Sequence, residues 1–159
     1  MKKNILTLFL LSFLQVTGIC QSWEKLNFTE FSFFDNERSS IAGSDNYLFF
    51  ANLNGVYKSS DNGNNWVYSS KGLNSVMSKF VSDIYADESG EYIVTPVGVY
   101  KSNDNGDNWT ESNNGINFTG NKAFEKIFRL NGKLFVYEND NGNDRLYAVS
   151  YTHLRAHET

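Results

Sequence analysis

The feature that most constrains this chain is an internal repeat with a period of 43 residues. Residues 55–66, GVYKSSDNGNNW, recur almost unchanged at residues 98–109 as GVYKSNDNGDNW. The same offset of 43 residues separates Trp23 from Trp66 and Trp66 from Trp109. It also relates residues 72–74 to residues 115–117, and Ile41 to Ile84. A match of this length does not arise by chance, so we interpret the chain as similar structural units arranged in series.

Each unit has the pattern of strands and turns. Its apolar residues alternate or occur in short runs bounded by Gly, Asn, Asp or Ser. Aromatic residues make up 16% of the chain and proline occurs once, which also favours strands over helices. We predict strands at 39–43, 47–52, 56–60 and 66–70, at 81–86, 91–96, 99–103 and 109–112, and at 126–130, 134–138 and 146–148. No segment has the length and period of a helix, and residues 138–144 are interpreted as a longer hairpin turn.

Four short strands in every 40 to 45 residues or so are typical of one blade of a β-propeller. We therefore predict an all-β fold, a partial and open β-propeller of about two and a half four-stranded antiparallel blades. The units are expected at about 27–70, 71–113 and 114–148, the last one truncated. The chain has no linker-like stretch, so residues 21–148 are predicted to form one domain.

A second signal is the element Ser-x-Asp-x-Gly-x-x-Trp, which occurs as Ser59, Asp61, Gly63 and Trp66 and again as Ser102, Asp104, Gly106 and Trp109. It resembles the Asp-box, or bacterial neuraminidase, repeat of sialidases, xyloglucan-cleaving propeller hydrolases, sortilin-type receptors and photosystem assembly-factor-like propellers. Asn65 and Asn108 stand where this family usually has Thr. The resemblance covers both full units and includes no catalytic residue.

The chemistry of these residue types explains the spacing. Glycine supplies a positive φ in a tight turn, aspartate accepts bonds from the backbone N–H groups of the turn, and serine adds another bond. The indole folds over the hairpin and buries apolar area. We therefore interpret all eight residues as structural.

The first 20 residues have the order of a secretory signal peptide. A charged start at Lys2 precedes an apolar run at 5–14, which is shorter than the roughly 20 residues of a membrane-spanning helix. We predict Sec-type export of the bacterial kind, cleavage before Gln21 and a secreted or cell-surface location. Lipoprotein processing at Cys20 is an alternative, although it places bulky Ile19 where a small residue is expected; a retained membrane anchor is another.

Residues 149–159 break the pattern that precedes them. They resemble the translated sequence of a transposase-type sequencing adapter, so we exclude them from the fold; a natural polar tail is the alternative. Both histidines, His153 and His157, fall in this stretch, which removes histidine-based metal or acid/base sites from consideration. The parent protein is expected to continue beyond this chain.

Few groups remain for other chemistry. The net charge of -4 offers no basic stripe for a phosphate backbone, so nucleic acid is not an expected partner, nor is a membrane after signal cleavage. No cofactor is expected. A calcium ion held by Asp61, Asp104 or the 140–144 turn is an alternative, but Ca²⁺ needs six to eight oxygen ligands and the EF-hand spacing is missing.

A sialidase needs an arginine cluster for the substrate carboxylate, a tyrosine nucleophile activated by glutamate, and an aspartate acid/base. Residues 21–148 contain only three arginines, Arg38, Arg129 and Arg145. Asp83 with Asp87, or Glu88 with Glu91, would suit inverting glycoside hydrolysis, but we expect these carboxylates to face solvent. Seven aromatic residues lie in predicted strands: Tyr47, Phe49, Phe50, Tyr92, Phe128, Phe135 and Tyr137. We expect most of them to pack between blades, and a minority to lie on a face where they could stack on sugars.

The leading hypothesis is a secreted Asp-box propeller segment that acts as a binding or structural scaffold of a larger extracellular protein. Its expected partners are an extracellular glycan or protein and the remaining blades of the parent chain. The alternative is the N-terminal part of an exo-sialidase or other propeller glycoside hydrolase, with its catalytic residues on further blades. No residue of this chain is assigned a catalytic role.

Overall fold

The computed structural model describes residues 38–116, 123–140 and 142–150 of the chain. The predicted signal peptide, Trp23, the start of the first unit and residues 151–159 of the predicted tail lie outside the described residues. Within the described part the fold is all-β, with three antiparallel sheets, none closed on itself, and one short helix.

The three sheets follow one another along the chain. Sheet 1 contains β1 (Ser39–Gly43), β2 (Leu48–Asn52), β3 (Gly55–Ser59) and β4 (Val67–Tyr68). Sheet 2 contains β5 (Asp83–Asp87), β6 (Gly90–Thr95), β7 (Gly98–Ser102) and β8 (Thr110–Glu111). Sheet 3 contains β9 (Ala123–Leu130), β10 (Lys133–Asn139) and β11 (Arg145–Ser150). In every sheet the strands lie side by side in chain order, as expected when short turns join antiparallel neighbours.

The strand register repeats with the sequence. Leu48 pairs with Ser59 in sheet 1, and Glu91 pairs with Ser102 in sheet 2, each 43 residues further along. In sheet 3 the partner of Tyr137 is Leu146, which lies four residues beyond the repeat-related position. This register confirms the longer hairpin turn, but the turn begins later than the sequence indicates, because β10 continues to Asn139.

Two local features differ from the sequence-based expectation. The fourth strands, β4 and β8, contain two residues each. Immediately before β8, the Trp109 backbone N–H donates to the Lys71 carbonyl of the preceding unit at 2.8 Å. A helix, α1 (Val76–Lys79), precedes β5 and begins with a capping box between Ser75 and Ser78. Four residues are too few to give a helical period, so the sequence does not indicate this helix.

Strand β11 also includes Val149 and Ser150, which pair with Leu134 and Lys133 of β10. These two residues belong to the stretch that the sequence assigns to the tail. The ladder of sheet 3 therefore extends two residues past the expected end of the fold.

Alternation along the strands gives each sheet two faces, which we call face A and face B. Face A carries Ala42, Phe49, Ala51 and Val56 in sheet 1, Tyr85, Tyr92, Val94 and Val99 in sheet 2, and Phe128, Phe135, Tyr137 and Leu146 in sheet 3. Face B carries Ile41, Leu48, Phe50 and Tyr57, then Ile84, Glu91, Ile93 and Tyr100, then Ile127, Leu134, Val136 and Tyr147.

The core lies between neighbouring sheets. Face A of sheet 1 packs on face B of sheet 2, where Phe49, Ile84 and Ile93 are buried in one cluster. Face A of sheet 2 packs on face B of sheet 3, where Tyr92 and Ile127 belong to a second cluster. The same pair of surfaces is therefore used twice, in the same order.

A β-bulge adapts the third sheet to this packing. The register shifts between Tyr137 and Glu138, so Phe124 lies opposite Glu138 and joins Ile127 in the second cluster. One extra residue in a strand reverses the side on which the following side chains point. As a result Phe124, three residues before Ile127, reaches the same core.

Candidate functional site: the two repeated turns

The first repeated turn, turn I (residues 59–66), connects β3 to β4. The Ser59 hydroxyl donates to Asp61 Oδ1 at 2.8 Å and accepts the Gly63 N–H at 2.9 Å. Asp61 Oδ1 also accepts the Asn65 N–H at 2.8 Å, and Asp61 Oδ2 accepts the Asn65 side-chain amide at 2.7 Å. Gly63 is buried and has a φ of +86°, a conformation that favours glycine.

Turn II (residues 102–109) has the same bonds between β7 and β8. The Ser102 hydroxyl donates to Asp104 Oδ1 at 2.8 Å and accepts the Gly106 N–H at 2.9 Å. Asn108 donates its backbone N–H and its side-chain amide to the two oxygens of Asp104, at 2.9 Å and 2.7 Å. The structure thus brings together the serine, the aspartate and the glycine of each repeated element.

Asn65 and Asn108 contribute side-chain hydrogen bonds to the two turns. The side-chain amides of Asn65 and Asn108 are the largest cause that holds the pKa of Asp61 and of Asp104 below the usual range. At the position where the Asp-box resemblance leads one to expect threonine, asparagine therefore adds a second donor to the carboxylate. The turns use these carboxylate oxygens as acceptors for their own N–H groups.

The indole N–H groups of the two tryptophans donate to different acceptors. The Trp66 indole N–H donates to the Gly63 carbonyl of its own turn at 3.0 Å. The Trp109 indole N–H donates to the Ser69 carbonyl of the preceding unit at 2.8 Å. Both side chains are buried, but only Trp109 joins two of the described sheets.

Trp109 is one part of a larger seam between sheets 1 and 2. The Ser69 hydroxyl donates to the Gly106 carbonyl at 2.6 Å, and Lys58 forms an ion pair with Asp107. Gly72 has a φ of +96°, and a Cβ there would lie 2.0 Å from the Trp109 carbonyl oxygen. The sequence repeat does not indicate these contacts, because they join residues of two different units.

Asp83 lies where the first strands of all three sheets meet. Its Oδ1 accepts the Ser40 hydroxyl at 2.5 Å and its Oδ2 accepts the Ile127 N–H at 3.1 Å, while Lys126 Nζ lies 3.8 Å away. The carboxylate is buried, so the expectation that it faces solvent is wrong. Its bonds to sheets 1 and 3 satisfy the charge that burial would otherwise make unfavourable.

Asp87, at the end of β5, also bonds to the next sheet. Arg129 Nη1 donates to Asp87 Oδ2 at 2.6 Å and to the Ser89 hydroxyl at 2.9 Å. Burial alone would raise the pKa of Asp87, but the bonds from Ser89, Tyr85 and Arg129 together lower it. Asp83 and Asp87 are thus engaged with separate sets of partners.

Glu88 and Glu91 have opposite environments. Glu88 is exposed as expected, whereas Glu91 is buried beneath turn II, contrary to the expectation. Burial raises the pKa of Glu91, and a bond from the Ser102 side chain partly opposes that shift. Both residues line a polar cavity of about 230 Å³, which is also bordered by the 44–47 turn and by Asn103.

The three arginines pair with different carboxylates. Arg129 bonds Asp87 as described, Arg38 lies 4.0 Å from Glu125, and Arg145 lies 3.7 Å from Glu138. Among the residues that the structure describes, they do not converge on one site.

Glu138 is a buried group that sequence reasoning missed. It is fully buried in β10, where the Tyr147 hydroxyl donates to its Oε2 at 2.8 Å. Its acidic neighbours in the sequence made it resemble part of a solvated loop.

The possible calcium ligands, which are Asp61, Asp104 and the 140–144 turn, form hydrogen bonds with nearby residues of the chain. In the 140–144 turn, Asp144 accepts the Tyr137 hydroxyl at 2.8 Å and the Asp140 N–H at 3.3 Å. Across residues 38–116, 123–140 and 142–150, no group of three or more His, Cys, Asp or Glu side chains is placed to hold a metal ion.

The seven strand aromatics divide between core and surface. Phe49 and Tyr92 are fully buried between sheets, but the other five are half-buried or exposed, so the expectation that most of the seven lie in the core is wrong. Phe128 is exposed and stacks on Phe135 at a centroid distance of 5.3 Å. Tyr47 and Tyr92 each have a lysine ammonium near the ring, Lys58 and Lys101 respectively.

Comparisons with known proteins do not add to this description. No family model, no curated protein and no solved structure matches the chain. In the described part of the chain, helices are too short or too polar to span a lipid bilayer. The function must therefore be argued from the geometry.

Proposed function

We propose that this chain is a secreted segment of an Asp-box β-propeller and acts as a binding or structural scaffold of a larger extracellular protein. Its partners in this proposal are an extracellular glycan or protein and further blades of the parent chain. Residues 1–20 direct export and are removed.

The arrangement of the sheets supports a propeller. The first strand of sheet 2, β5, packs against the first strands of both neighbours, β1 and β9. Propeller blades surround a central channel and are each four-stranded, so first strands that gather in one place are the expected neighbours of that channel. At this position Asp83 accepts hydrogen bonds from Ser40 of sheet 1 and from Ile127 of sheet 3.

The scaffold role is supported by the hydrogen bonds that the polar side chains of the two repeated turns form within those turns. Asp61 and Asp104 accept bonds from their own turns, and Ser59 and Ser102 do the same. A catalytic carboxylate must instead reach a proton or a reacting carbon of a substrate. The repeated element therefore stabilises hairpins and seams.

The scaffold proposal is tested by an assay of the purified chain with a fluorogenic sialoside and a fluorogenic β-glucoside. We expect no turnover above that of a heat-denatured sample. Turnover that Glu91→Gln abolishes, while the matched surface variant Glu88→Gln retains it, would replace the scaffold by a glycoside hydrolase.

Export is tested by expression of the complete chain in a Sec-competent bacterium. We expect the product outside the cytoplasm with Gln21 at its N-terminus, as measured by mass spectrometry of the intact protein. A product that keeps Met1 in the cytoplasm contradicts the proposed location, and a lipid on Cys20 assigns the chain to lipoproteins.

The propeller arrangement is tested by crosslinking. Ser40 and Lys126 belong to different sheets and both contact Asp83, so Ser40→Cys with Lys126→Cys is expected to react intramolecularly with a short bis-maleimide. The pair Ser40→Cys with Lys133→Cys, which the structure does not bring to one group, is the control. Equal crosslinking of both pairs contradicts the convergence of the first strands.

A further inference from the structure

The seam between sheets 1 and 2, the first seam, contains a tryptophan, whereas the seam between sheets 2 and 3, the second seam, contains a cavity of about 300 Å³. Trp109 is 2% exposed and belongs to one apolar cluster with Val56, Leu73, Ile93 and Tyr100. The repeat relates these four cluster residues to four residues that all line the second-seam cavity, Val99, Ile116, Val136 and Tyr147. The wall that surrounds an indole in the first seam is therefore present in the second.

The acceptors that bind Trp109 also have counterparts at the cavity. The Trp109 indole N–H donates to the Ser69 carbonyl at 2.8 Å, and its backbone N–H donates to the Lys71 carbonyl at 2.8 Å. The repeat relates these two residues to Ser112 and Asn114, and both line the cavity. The second seam thus has polar groups at the positions where an indole is bound in the first.

The segments that carry these carbonyls are attached to their sheets in the same way. In the first unit, the Ser69 N–H donates to the Val56 carbonyl at 2.8 Å. In the second unit, the Ser112 N–H donates to the Val99 carbonyl at 2.8 Å. The shape of the wall is therefore repeated together with its residue types.

The two sites differ in their occupant. A Cβ at Gly72 would lie 2.0 Å from the Trp109 carbonyl oxygen, whereas a Cβ at Gly115 would meet nothing within 4 Å. Leu73 is 2% exposed beside Trp109, and its counterpart Ile116 is only half-buried. The sequence contains no tryptophan after Trp109.

We propose that the second-seam cavity is a binding site for an indole ring, and that in the parent protein the tryptophan of a further repeated turn fills it. With the four-residue insertion counted, the position related to Trp109 is Ala156, which lacks this ring. An apolar cavity of about 150 Å³ binds benzene, so a cavity of about 300 Å³ can admit the two fused rings of indole. The site rests on the packing of the sheets, and only the source of the ring rests on the proposed function.

Strand β11 offers an edge to the backbone that would carry such a tryptophan. In sheet 2, β8 follows Trp109 directly and pairs with β7. In sheet 3, β11 corresponds to β7 and pairs with β10 on one side, and no strand of the described residues pairs with its other side. A peptide that contains the repeated turn can therefore add to this edge as a fourth strand.

The site is tested by titration of free indole into the isotopically labelled complete chain, followed by the backbone amide signals in NMR spectra. We expect saturable shifts at Gly115 and Ile116 with a dissociation constant below about 1 mM. The related Gly72 and Leu73 should not shift, because Trp109 already fills the first seam. Weaker or non-saturable shifts at Gly115 and Ile116 overturn the site, whether other residues of the chain fill the cavity or not.

Two variants of β11 locate the binding. Val149 lines the cavity, so Val149→Arg is expected to weaken indole binding about tenfold or more. Leu146→Arg, at an exposed position on the opposite face of the strand, is the matched control and is expected to bind indole as the original chain does. Equal effects of the two folded variants, as checked by circular dichroism, contradict the cavity as the site.

A measurement on the original chain locates the ring without any variant. Nuclear Overhauser contacts are expected between the indole protons and the methyl groups of Val99 and Val136, which belong to the two sheets that border the cavity. Contacts to methyl groups elsewhere, with none to these two valines, overturn the site even where Val149→Arg does not fold.

The source of the ring is tested with a peptide of residues 102–112 of this chain, which contains turn II and Trp109. We expect the peptide to shift the same amides as indole and to bind about tenfold more tightly or better, because its backbone adds to the edge of β11. The same peptide with Trp109→Ala is the control and is expected not to bind. Indole binding without peptide binding overturns the turn as the occupant, and this result is distinguishable from a failure of the proposed function, which depends on export and on the glycosidase assays.

Discussion

The seam between sheets 1 and 2 and the seam between sheets 2 and 3 join the same surfaces by different means. At the first seam, the Trp109 indole, the Ser69 hydroxyl and the Lys58–Asp107 ion pair bind the outer strands together. At the second seam, the described bonds lie on the first strands, from Asp83 to the Ile127 N–H and from Arg129 to Asp87. The outer part of that seam instead borders a cavity of about 300 Å³, lined by Val99, Ser112, Gly115, Leu134, Val136 and Tyr147 among others.

This difference shows what a repeated turn adds to a sheet. Apolar packing between face A and face B is common to both seams, so it does not depend on a repeated turn. The fixed bonds of the outer strands occur where turn II reaches back to the preceding unit. The turn is therefore a device for docking neighbouring units as well as for closing its own hairpin.

The largest expected effect tests the outer seam. Trp109→Ala removes a buried indole that bonds another sheet, so we expect a loss of about 3 to 5 kcal/mol in the free energy of unfolding. Urea denaturation followed by circular dichroism measures this loss. A loss under about 1 kcal/mol would contradict the contribution of the Trp109 indole to the outer seam.

Glycine substitutions compare the two seams at repeat-related positions. Gly72 and Gly115 both have positive φ, at +96° and +84°, but a Cβ at Gly72 meets the Trp109 backbone while a Cβ at Gly115 meets open space. We expect Gly115→Ala to cost roughly 1 to 2 kcal/mol from backbone strain alone, and Gly72→Ala to cost clearly more. Equal costs in urea denaturation would contradict the close approach of Trp109.

The inner seam is tested through its ion pair. Arg129→Met leaves Asp87 with fewer donors, and we expect a loss of about 1 to 3 kcal/mol, since hydrogen bonds to charged groups are worth roughly that much. Asp87→Asn and the double variant complete a double-mutant cycle. A coupling free energy near zero would mean that the inner seam is held by packing alone.

The smallest effects concern pH and have opposite signs at two carboxyl groups near turn II. The pKa of Asp104 is lowered in the fold, so its stabilising contribution is present above the unfolded-state pKa and is lost as pH falls through the folded pKa. The pKa of Glu91 is raised by burial, so its cost grows as pH rises from the unfolded-state pKa to the folded one.

Two variants separate these contributions. At neutral pH, Asp104→Asn is expected to destabilise the chain and Glu91→Gln to stabilise it. Both differences should shrink in acid, when the carboxyl groups are protonated in the folded and the unfolded chain. Thermal melts at a series of pH values check both, and a Glu91→Gln variant that is less stable at neutral pH would contradict the assignment.

The strand plan could be predicted from the sequence because it is local. Alternation and turn residues locate β1 at the observed bounds, 39–43, and locate most other strands to within a few residues. The register followed from the repeat, including the longer turn before β11. Helix α1 was missed because a single capped turn has no period.

The roles of the carboxylates could not be predicted in the same way. Glu91 and Glu138 are buried because strand alternation turns them towards face B, but acidic and glycine neighbours suggested solvent. Asp83 forms hydrogen bonds with residues of both neighbouring units. A sequence repeat shows which positions in two units are equivalent, but it does not show which residues of one unit contact the next. The inter-sheet bond of Trp109 was hidden for the same reason, since Trp66 has the same sequence context and a different partner.

Asp83 also has a consequence for the order of folding. The hairpins within each sheet join residues that are close in the chain, so they form at a low cost in loop-closure entropy. The bonds of Asp83 to Ser40 and to Ile127 span 43 and 44 residues, and each requires two complete neighbouring sheets. We therefore expect this carboxylate to gain its partners in sheets 1 and 3 only after the units have docked, so that its burial would report a late step in assembling the stack.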